Sequence, residues 1–217
     1  MNQEKQSAIL NLQSAFIQAG GKSSRMGSDK AWIEVEGRPM IERALAAAAA
    51  VADQLGVVIN PATRERARYE DLSAKWNAHL TEDLHDHRGP LGGIHTALSY
   101  NQNNTEPAPA LILACDLPFV TADFLSLLIE IHEREANDFT APVDRSGTLQ
   151  PLAAIYSPSC LEPVERLLMA NRLRVDRLCD LVRTRKVFFE EFAHLPGSER
   201  LLVNINSPAD LPKFGVS

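Results

Sequence analysis

Short apolar runs alternate with longer helical patterns along this chain of 217 residues. Runs typical of buried strands lie at 15–18, 56–60, 110–115 and 138–143. Helical patterns lie between them, at 39–53, 91–101 and 121–134, and Thr121 is a plausible cap for the last of these. Strands that alternate with helices pair in parallel, so the pattern predicts an α/β fold with a mainly parallel sheet.

The second half of the chain is less regular. Strands are predicted at 152–156 and 186–190, the latter antiparallel or at an edge, and helices at 158–169 and 175–182. Residues 1–14 are polar and lack both the apolar core and the cleavage site of a secretory signal, so we expect an N-terminal extension there. Residues 15–217 then form one domain, because their number suits a single well-buried core.

Composition excludes several classes of protein. Hydrophobic residues make up 45% of the chain and charged residues 23%, as in soluble globular proteins, and no apolar run has the length of a membrane span. A net charge of −6 argues against a nucleic-acid partner, which requires a basic face. The three cysteines are odd in number and lack C-x-x-C spacing, which favours a reducing cytoplasm over a disulfide framework or a zinc site. We expect a cytoplasmic monomer with no membrane contact.

A glycine-rich basic loop directly follows the first apolar run and reads AGGKSSRMGSDK over 19–30. Glycines let backbone N–H groups approach an anion, and Arg25 and Lys30 add positive charge around the same concavity. The loop is not a P-loop, because Phe16 stands where that motif needs its first glycine. The glycine spacing also differs from that of a dinucleotide-binding fingerprint. The loop therefore indicates a nucleotide held in another way.

Polar residues follow several predicted strands. Asn60 follows the second strand, Asp83 follows a short run near 79–81, and Asp116 follows the strand at 110–115. In open α/β sheets, ligands bind outside the carboxyl ends of the strands, so these side chains are candidates for one site. From the residues alone, Asp116 suits either a hard cation or the cap of the helix near Thr121.

Three other features allow an ordinary structural interpretation. Asn204 and Asn206 lie on one side of an extended segment, with Ser207 available to cap a final helix, and such sequences often form simple turns. His85 and His87 form an H-x-H pair that is more typical of a solvated loop than of zinc binding. Cys115 is interpreted as a buried structural thiol.

Four segments together resemble the molybdenum cofactor guanylyltransferase family. They are A-G-G-x-S-x-R-M-G-x-D-K at 19–30, G-P-L-x-G at 89–93, C-D-x-P at 115–118 and N-x-N-S-P at 204–208, and the similarity extends from about Phe16 to Leu211. The segment at 150–156 is also similar to one in the family. Two departures stand out, because Gln18 replaces a usual Leu and Gly92 replaces a usual Ala.

The resemblance implies a three-layer Rossmann-like nucleotidyltransferase fold, with a mostly parallel central sheet flanked by helices. It also implies transfer of GMP from GTP to molybdenum-bound molybdopterin, with Mg²⁺ on Asp116 and with Arg25, Lys30 and Asp116 acting in catalysis. Asn204 and Asn206 would line the pterin side. The nucleotide would be bound by seven residues: Gln18, Ala19, Gly20, Lys30, Asn60, Asp83 and Asp116. Transient contacts with other cofactor-biosynthesis proteins and with molybdoenzymes are also expected.

Two other functions stay open at the level of sequence. A cytidylyltransferase acting on molybdopterin would use CTP, but Gly20 and Gly21 favour the guanylyl branch, since the cytidylyl relatives more often have Ala-Ala-Gly. A non-catalytic nucleotide-binding or cofactor-delivery protein could also have this fold. The joint presence of Arg25, Lys30 and Asp116 argues against it.

Overall fold

A computed structural model of the protein describes residues 12–19, 29–85, 87–102 and 106–214. Its centre is a seven-stranded sheet with the order β5-β4-β1-β6-β8-β7-β9. The strands of this sheet are β1 (Leu12–Gln18), β4 (Ala52–Ile59), β5 (Ala78–Glu82), β6 (Ala110–Ala114), β7 (Phe139–Pro142), β8 (Ala153–Tyr156) and β9 (Thr184–Val187). A separate small hairpin pairs β2 (Glu34–Val35) with β3 (Arg38–Pro39).

Most pairs of neighbouring strands in the sheet are parallel. Strand β1 pairs in parallel with β4 and β6, β4 with β5, and β7 with β9, whereas β8 is antiparallel to β6 and β7. The chain passes from β1 to β4 on one side and returns to β6 on the other, so the strand order reverses beside β1. Such a reversal opens a crevice at the carboxyl ends of the strands.

Helices cover both faces of the sheet and create two apolar cores. They are α1 (Met40–Ala49), α2 (Arg66–Trp76), α3 (Pro90–Gln102), α4 (Ala122–Glu135), α5 (Leu161–Met169) and α6 (Phe189–Phe192). Helices α1, α2, α4 and α6 contribute to one core, and α3 and α5 to the other. This three-layer arrangement confirms the predicted fold class. No helix among the described residues combines the length and apolar character needed to cross a membrane.

Side-chain alternation along β1 decides which residues reach each core. Ala15 and Ile17 face the core beneath α1 and α4, whereas Phe16 faces the core beneath α3. Because successive side chains of a strand point to opposite faces, Gln18 lies on the same side as Phe16. The sequence therefore directs the Gln18 amide toward the start of α3.

Several element boundaries differ from the sequence prediction. Strand β1 begins at Leu12, so 12–14 belong to the sheet and not to an extension. Helix α1 ends at Ala49, because the chain turns there and Ala52 pairs with Leu12, which favours a strand over further alanine-rich helix. Helix α2 was not predicted. The segment Val175–Asp180 is a 3-10 helix. Strand β9 is at the edge of the sheet, as one of the two alternatives predicted, but it ends before 188–190 and is parallel to β7.

Candidate functional site

A cleft of about 600 Å³ lies at the carboxyl ends of the strands. Its walls come from the ends of β1, β4, β5 and β6 and from the segments that follow them. Five residues predicted to bind nucleotide line this one cleft: Gln18, Lys30, Asn60, Asp83 and Asp116. The strand-end rule thus identified side chains that lie up to about a hundred positions apart in sequence but share one cavity.

An ion pair between Lys30 and Asp116 lies in the wall of the cleft. Lys30 Nζ donates to Asp116 Oδ2 and, at 3.3 Å, to Oδ1 of Asn206. Burial lowers the pKa of the Lys30 ammonium, but the nearby Asp116 carboxylate outweighs that effect and the net pKa is raised. The amine therefore stays charged through the neutral range, and a full cation faces the cleft.

The backbone around Asp116 is held from two directions. Ile205 donates its N–H to the Asp116 carbonyl at 3.0 Å, which fixes the C-terminal segment beside the site. Arg43 of α1 donates to the Pro118 carbonyl at 2.8 Å and pairs with Glu36 at 3.0 Å. These contacts fix the turn that carries the carboxylate, and they were not evident from the sequence.

Asp116 has the chemistry that a hard divalent cation requires. Its Oδ1 atom is buried without a hydrogen-bond partner in the described structure, while Oδ2 receives Lys30. Among the described residues, no cluster of three or more His, Cys, Asp or Glu side chains is arranged to hold a metal ion. Mg²⁺ commonly takes one or two carboxylates and completes its shell with substrate phosphates and water. Asp116, with one unpartnered carboxylate oxygen in the cleft, is compatible with that pattern.

Asp29 precedes Lys30 and fixes its position. Its Oδ1 accepts from the Ala31 N–H at 3.1 Å, and its Oδ2 accepts from the Tyr69 hydroxyl at 2.7 Å. Tyr69 is fully buried on α2, so this contact ties the end of the basic loop to the core. The loop motif contains Asp29, but no signal in the sequence pointed to Tyr69.

Gln18 also lines the cleft and lies against the first turn of α3. Its Nε2 donates to the Pro90 carbonyl at 3.3 Å, and its Oε1 is buried without a described partner. A Cβ atom on Gly93 would lie 2.0 Å from Gln18 Nε2, well inside contact distance. The polar side chain that departs from the family pattern is therefore accommodated by a glycine.

Asp83 and Asn60 are both engaged in local hydrogen bonds. Asp83 Oδ1 accepts from the His85 N–H at 2.9 Å and from Thr96 Oγ1 at 3.1 Å. Burial raises the pKa of the Asp83 carboxyl, and these hydrogen bonds only partly oppose that effect. Asn60 Oδ1 accepts from the Ala62 N–H at 2.8 Å, which forms an Asx turn after β4.

The remaining predicted residues differ in their placement. Ala19 is buried and donates its N–H to the Val58 carbonyl at 2.8 Å, so a contact with a base must use another backbone atom. Arg25 and Gly20 lie outside the described residues. Asn206 and Asn204 are both exposed and neither is among the residues that line the cleft, but Asn206 reaches Lys30.

The C-terminal segment alternates as predicted, with Ile205 buried between the two exposed asparagines. Ser207 has a different role from the one expected. Its hydroxyl donates to Asp210 Oδ2 at 3.1 Å, and the same oxygen accepts from the Ser207 N–H at 3.0 Å. The Asp210 carboxylate, and not the Ser207 side chain, therefore accepts hydrogen bonds from the backbone N–H groups of Asn206 and Ser207, which precede the final 3-10 helix at 208–214.

Two histidines and a glutamate form a chain that leads out of the cleft. His85, which lines the cleft, has its Nε2 2.9 Å from Nδ1 of His95, and His95 Nε2 lies 3.2 Å from Oε1 of Glu165. His95 is 8% exposed, and the side chain of Glu165 on α5 is 44% exposed. The expectation that His85 is simply solvated was therefore wrong. The loop spacing gave no sign of its partners on α3 and α5.

Comparison with known proteins identifies relatives over nearly the whole chain. Residues 15–184 match the family of the MobA-like NTP transferase domain. A probable molybdenum cofactor guanylyltransferase from Pelotomaculum thermopropionicum is 33% identical, with 92% of this chain and 90% of the relative covered. A molybdenum cofactor guanylyltransferase from Desulfosudis oleivorans is 32% identical, with coverage of 91% and 92%.

A solved structure is similar in fold. Molybdopterin-guanine dinucleotide biosynthesis protein A from Archaeoglobus fulgidus superposes with a TM-score of 0.74 at 24% identity, covering 93% of this chain and 96% of that one. At that identity the likeness concerns the fold. Together with the sequence relatives, it confirms the resemblance that the basic loop and the strand-end motifs indicated.

Proposed function

This chain is a nucleotidyltransferase of the MobA-like NTP transferase family, and we propose that it transfers GMP from GTP to molybdenum-bound molybdopterin. The relatives described above are guanylyltransferases, which favours GTP over the CTP alternative. In the reaction an oxygen of the acceptor phosphate forms a bond to the α-phosphorus of GTP. The bond between that phosphorus and the bridging oxygen to the β-phosphate breaks, and pyrophosphate leaves.

The observation that carries the proposal is the mixed chemistry of the cleft lining. The Lys30 cation and the Asp116 carboxylate share the cleft with the amide and carboxyl groups of Gln18, Asn60 and Asp83. A nucleoside triphosphate has parts that suit both sets of groups, charged phosphates and a hydrogen-bonding base and ribose. We therefore orient GTP with its triphosphate toward Lys30 and its guanosine toward Gln18.

Positioning and electrostatics suffice for this chemistry, because the acceptor phosphate is already ionised at neutral pH. Lys30 and, by the resemblance, Arg25 would stabilise the negative charge that collects on the leaving pyrophosphate. Asp116 would hold Mg²⁺ through its unpartnered Oδ1. Bound there, the ion supplies charge neutralisation on the triphosphate. Asn206 accepts a second hydrogen bond from the Lys30 amine and helps to hold it in the cleft.

The acceptor would enter beside the C-terminal segment. Asn204 and Asn206 expose their side chains there, and Asn206 already touches the catalytic cation. An acceptor phosphate bound there must reach the α-phosphorus on the face opposite the bond to the leaving pyrophosphate, because the attacking and leaving oxygens lie in line. Contacts with molybdoenzymes that receive the product, and with other biosynthetic proteins, are part of the same proposal.

Parallel assays with GTP and with CTP test the choice of nucleotide. The protein is supplied with Mg²⁺, molybdenum-loaded molybdopterin and either GTP or CTP, and formation of the dinucleotide and pyrophosphate is measured. We expect product with GTP and at least tenfold less with CTP, because the guanine and cytosine edges carry different donors and acceptors. Preference for CTP would overturn the guanylyl assignment, and nucleotide binding without turnover would support the non-catalytic alternative.

The role of Lys30 is tested with a matched lysine. Lys30→Met keeps the length of the side chain but removes its charge, and we expect a fall in turnover of roughly a hundredfold, as for loss of one transition-state contact. Lys75→Met is the control, because Lys75 pairs with Glu42 on the surface. Equal activity of the two variants would contradict the catalytic role of Lys30.

A further inference from the structure

The chain His85–His95–Glu165 fixes the protonation pattern of its rings. A carboxylate only accepts hydrogen bonds, so the His95 nitrogen that faces Glu165, Nε2, carries hydrogen. In the neutral ring the other nitrogen, His95 Nδ1, is then an acceptor. Two donors face it, His85 Nε2 at 2.9 Å and the Ser99 hydroxyl at 3.4 Å.

The same logic extends to His85. Because His85 Nε2 donates to His95, the second nitrogen of a neutral His85 ring, Nδ1, has no hydrogen and is an acceptor. His85 lines the cleft and its Nε2 is engaged by His95, so Nδ1 is the ring nitrogen left for a ligand there. The half-exposed Glu165 carboxylate on α5 thereby specifies a hydrogen-bond acceptor in the nucleotide cleft.

We propose that His85 contacts the nucleoside half of the substrate through an Nδ1 acceptor that the His95–Glu165 chain holds in place. The inference rests on the proposed function, since it requires the nucleotide to occupy this cleft. The chemistry of the ligand group follows from the acceptor: it is an N–H or O–H donor. Guanosine offers such donors on the N–H edge of its base and on its ribose hydroxyls, and His85 is two residues from Asp83, which also lines the cleft.

The charged and titratable groups around His85 are His95, Asp83, Arg88 and Glu165. Burial and then His95 lower the pKa of His85, Arg88 acts in the same direction, and the two carboxylates oppose them, with a net lowering. His85 is therefore neutral at pH 7. A proton taken up in acid would reach Nδ1 and convert the acceptor into a donor, so nucleotide affinity should fall as the pH decreases.

The sharpest test changes Glu165, which lies outside the cleft. In Glu165→Gln the amide nitrogen can donate to His95 Nε2, which permits the reversed pattern and a donor at His85 Nδ1. We expect the Kd for GTP at pH 7.5 to rise about three- to tenfold, the value of one hydrogen bond. Glu162→Gln is the control, because Glu162 lies on the same helix, its side chain is 78% exposed, and it pairs with Arg166 at 3.7 Å.

Substitution of His85 itself separates a contact from a structural effect. In His85→Phe the acceptor is lost, and Glu165→Gln should then have no further effect on GTP binding. In His85→Asn the amide oxygen can replace Nδ1, so we expect affinity within about threefold of wild type with the acid-dependent loss abolished. The Kd values of wild type and His85→Asn are compared across pH 5.5–7.5, a range around the ordinary histidine pKa of about 6.5. The ratio of the two Kd values at each pH cancels the effect of triphosphate titration.

Two analogues identify the donor on the ligand. Inosine triphosphate lacks the exocyclic amine, and 2′-deoxy-GTP lacks one ribose hydroxyl. If the amine is the donor, His85→Phe should weaken the binding of GTP but not that of inosine triphosphate. If the hydroxyl is the donor, His85→Phe should weaken the binding of GTP but not that of 2′-deoxy-GTP. Equal weakening of all three assigns the contact to the remaining N–H or hydroxyl, and no weakening of any overturns the proposal.

Nitrogen-15 NMR of the histidine rings gives a readout that does not depend on activity. We expect both His85 and His95 as Nε2–H tautomers in the free protein at pH 7.5. A Nδ1–H tautomer for His85 would overturn the proposal, as would a Glu165→Gln variant that binds GTP like wild type. Failure of the wild-type protein to bind GTP at all would instead contradict the proposed function.

Discussion

Replacing Gly93 with alanine should disturb the wall of the cleft beside α3 through its contact with Gln18. The new Cβ would lie 2.0 Å from Nε2 and 2.5 Å from Cδ of Gln18, so the glutamine side chain must leave its place and its bond to Pro90. Overpacking of this kind costs about 1–3 kcal/mol. Alanine is favoured over glycine in a helix by about 1 kcal/mol, so the net loss of stability should be about 0–2 kcal/mol.

The sign of the effect should reverse when Gln18 is shortened. In a Gln18→Ala background the clash is absent, and Gly93→Ala should stabilise the protein by up to about 1 kcal/mol through helix propensity alone. The coupling energy between the two positions is then about 1–3 kcal/mol. Urea unfolding of the wild type, the two single variants and the double variant measures it directly.

Nucleotide binding gives a second measurement on the same four proteins, the wild type, the two single variants and the double variant. In Gly93→Ala the displaced Gln18 side chain should enter the cleft and raise the Kd for GTP, whereas in the double variant the space is restored. If Gly93→Ala changes the free energy of unfolding by the same amount in both backgrounds, the contact with Gln18 does not constrain this turn. In that case the account of Gln18 as a fixed cleft residue is wrong.

Other perturbations have equally specific expectations. Asp116→Asn should lower turnover by about two or more decades while the fold persists by circular dichroism, with Asp123→Asn, on the exposed first turn of α4, as its control. Arg43→Met removes the bond to the Pro118 carbonyl, and steady-state kinetics should show a lower kcat with a nearly unchanged Kd for GTP. His132 is 2% exposed, and burial lowers its pKa from 6.5 to about 4. Because the unfolded chain binds the proton more readily in that window, the free energy of unfolding should fall by up to about 3 kcal/mol as pH decreases from 6.5 to 4, and denaturant titrations of His132→Gln should lack this slope.

The sequence predicted the parts of the fold and site that depend on local patterns. Runs such as 110–115 are continuously apolar because the strand is buried on both faces, and the polar residue that follows marks the strand end. Helix α2 escaped prediction because only Tyr69, Leu72 and Ser73 on it are buried, which leaves too weak an apolar stripe. Its contribution to the site, the Tyr69 hydroxyl on Asp29, was hidden for the same reason.

Contacts between distant elements could not be predicted from spacing. The bond from Arg43 to Pro118 and the chain from His85 to Glu165 join residues whose proximity depends on how α1, α3 and α5 pack on the sheet. Each of these side chains is unremarkable within its own element. Packing geometry, and not local propensity, gives them a role, so a single sequence carries little signal for them.

The two glycines of the first turn of α3 have separate roles, and this explains why the departure at Gly92 matters. A Cβ on Gly93 would meet Gln18, whereas a Cβ on Gly92 would lie 3.1 Å from both carboxylate oxygens of Asp83 and from Cβ of His85. Gly92→Ala would therefore require Asp83 and His85 to move by only a few tenths of an ångström. We expect it to alter the pH dependence of GTP binding through His85 while leaving the Gln18 coupling unchanged, and Gly93→Ala to do the opposite. If both variants change the same quantity, the turn acts as one rigid surface and the two side chains are not independently held.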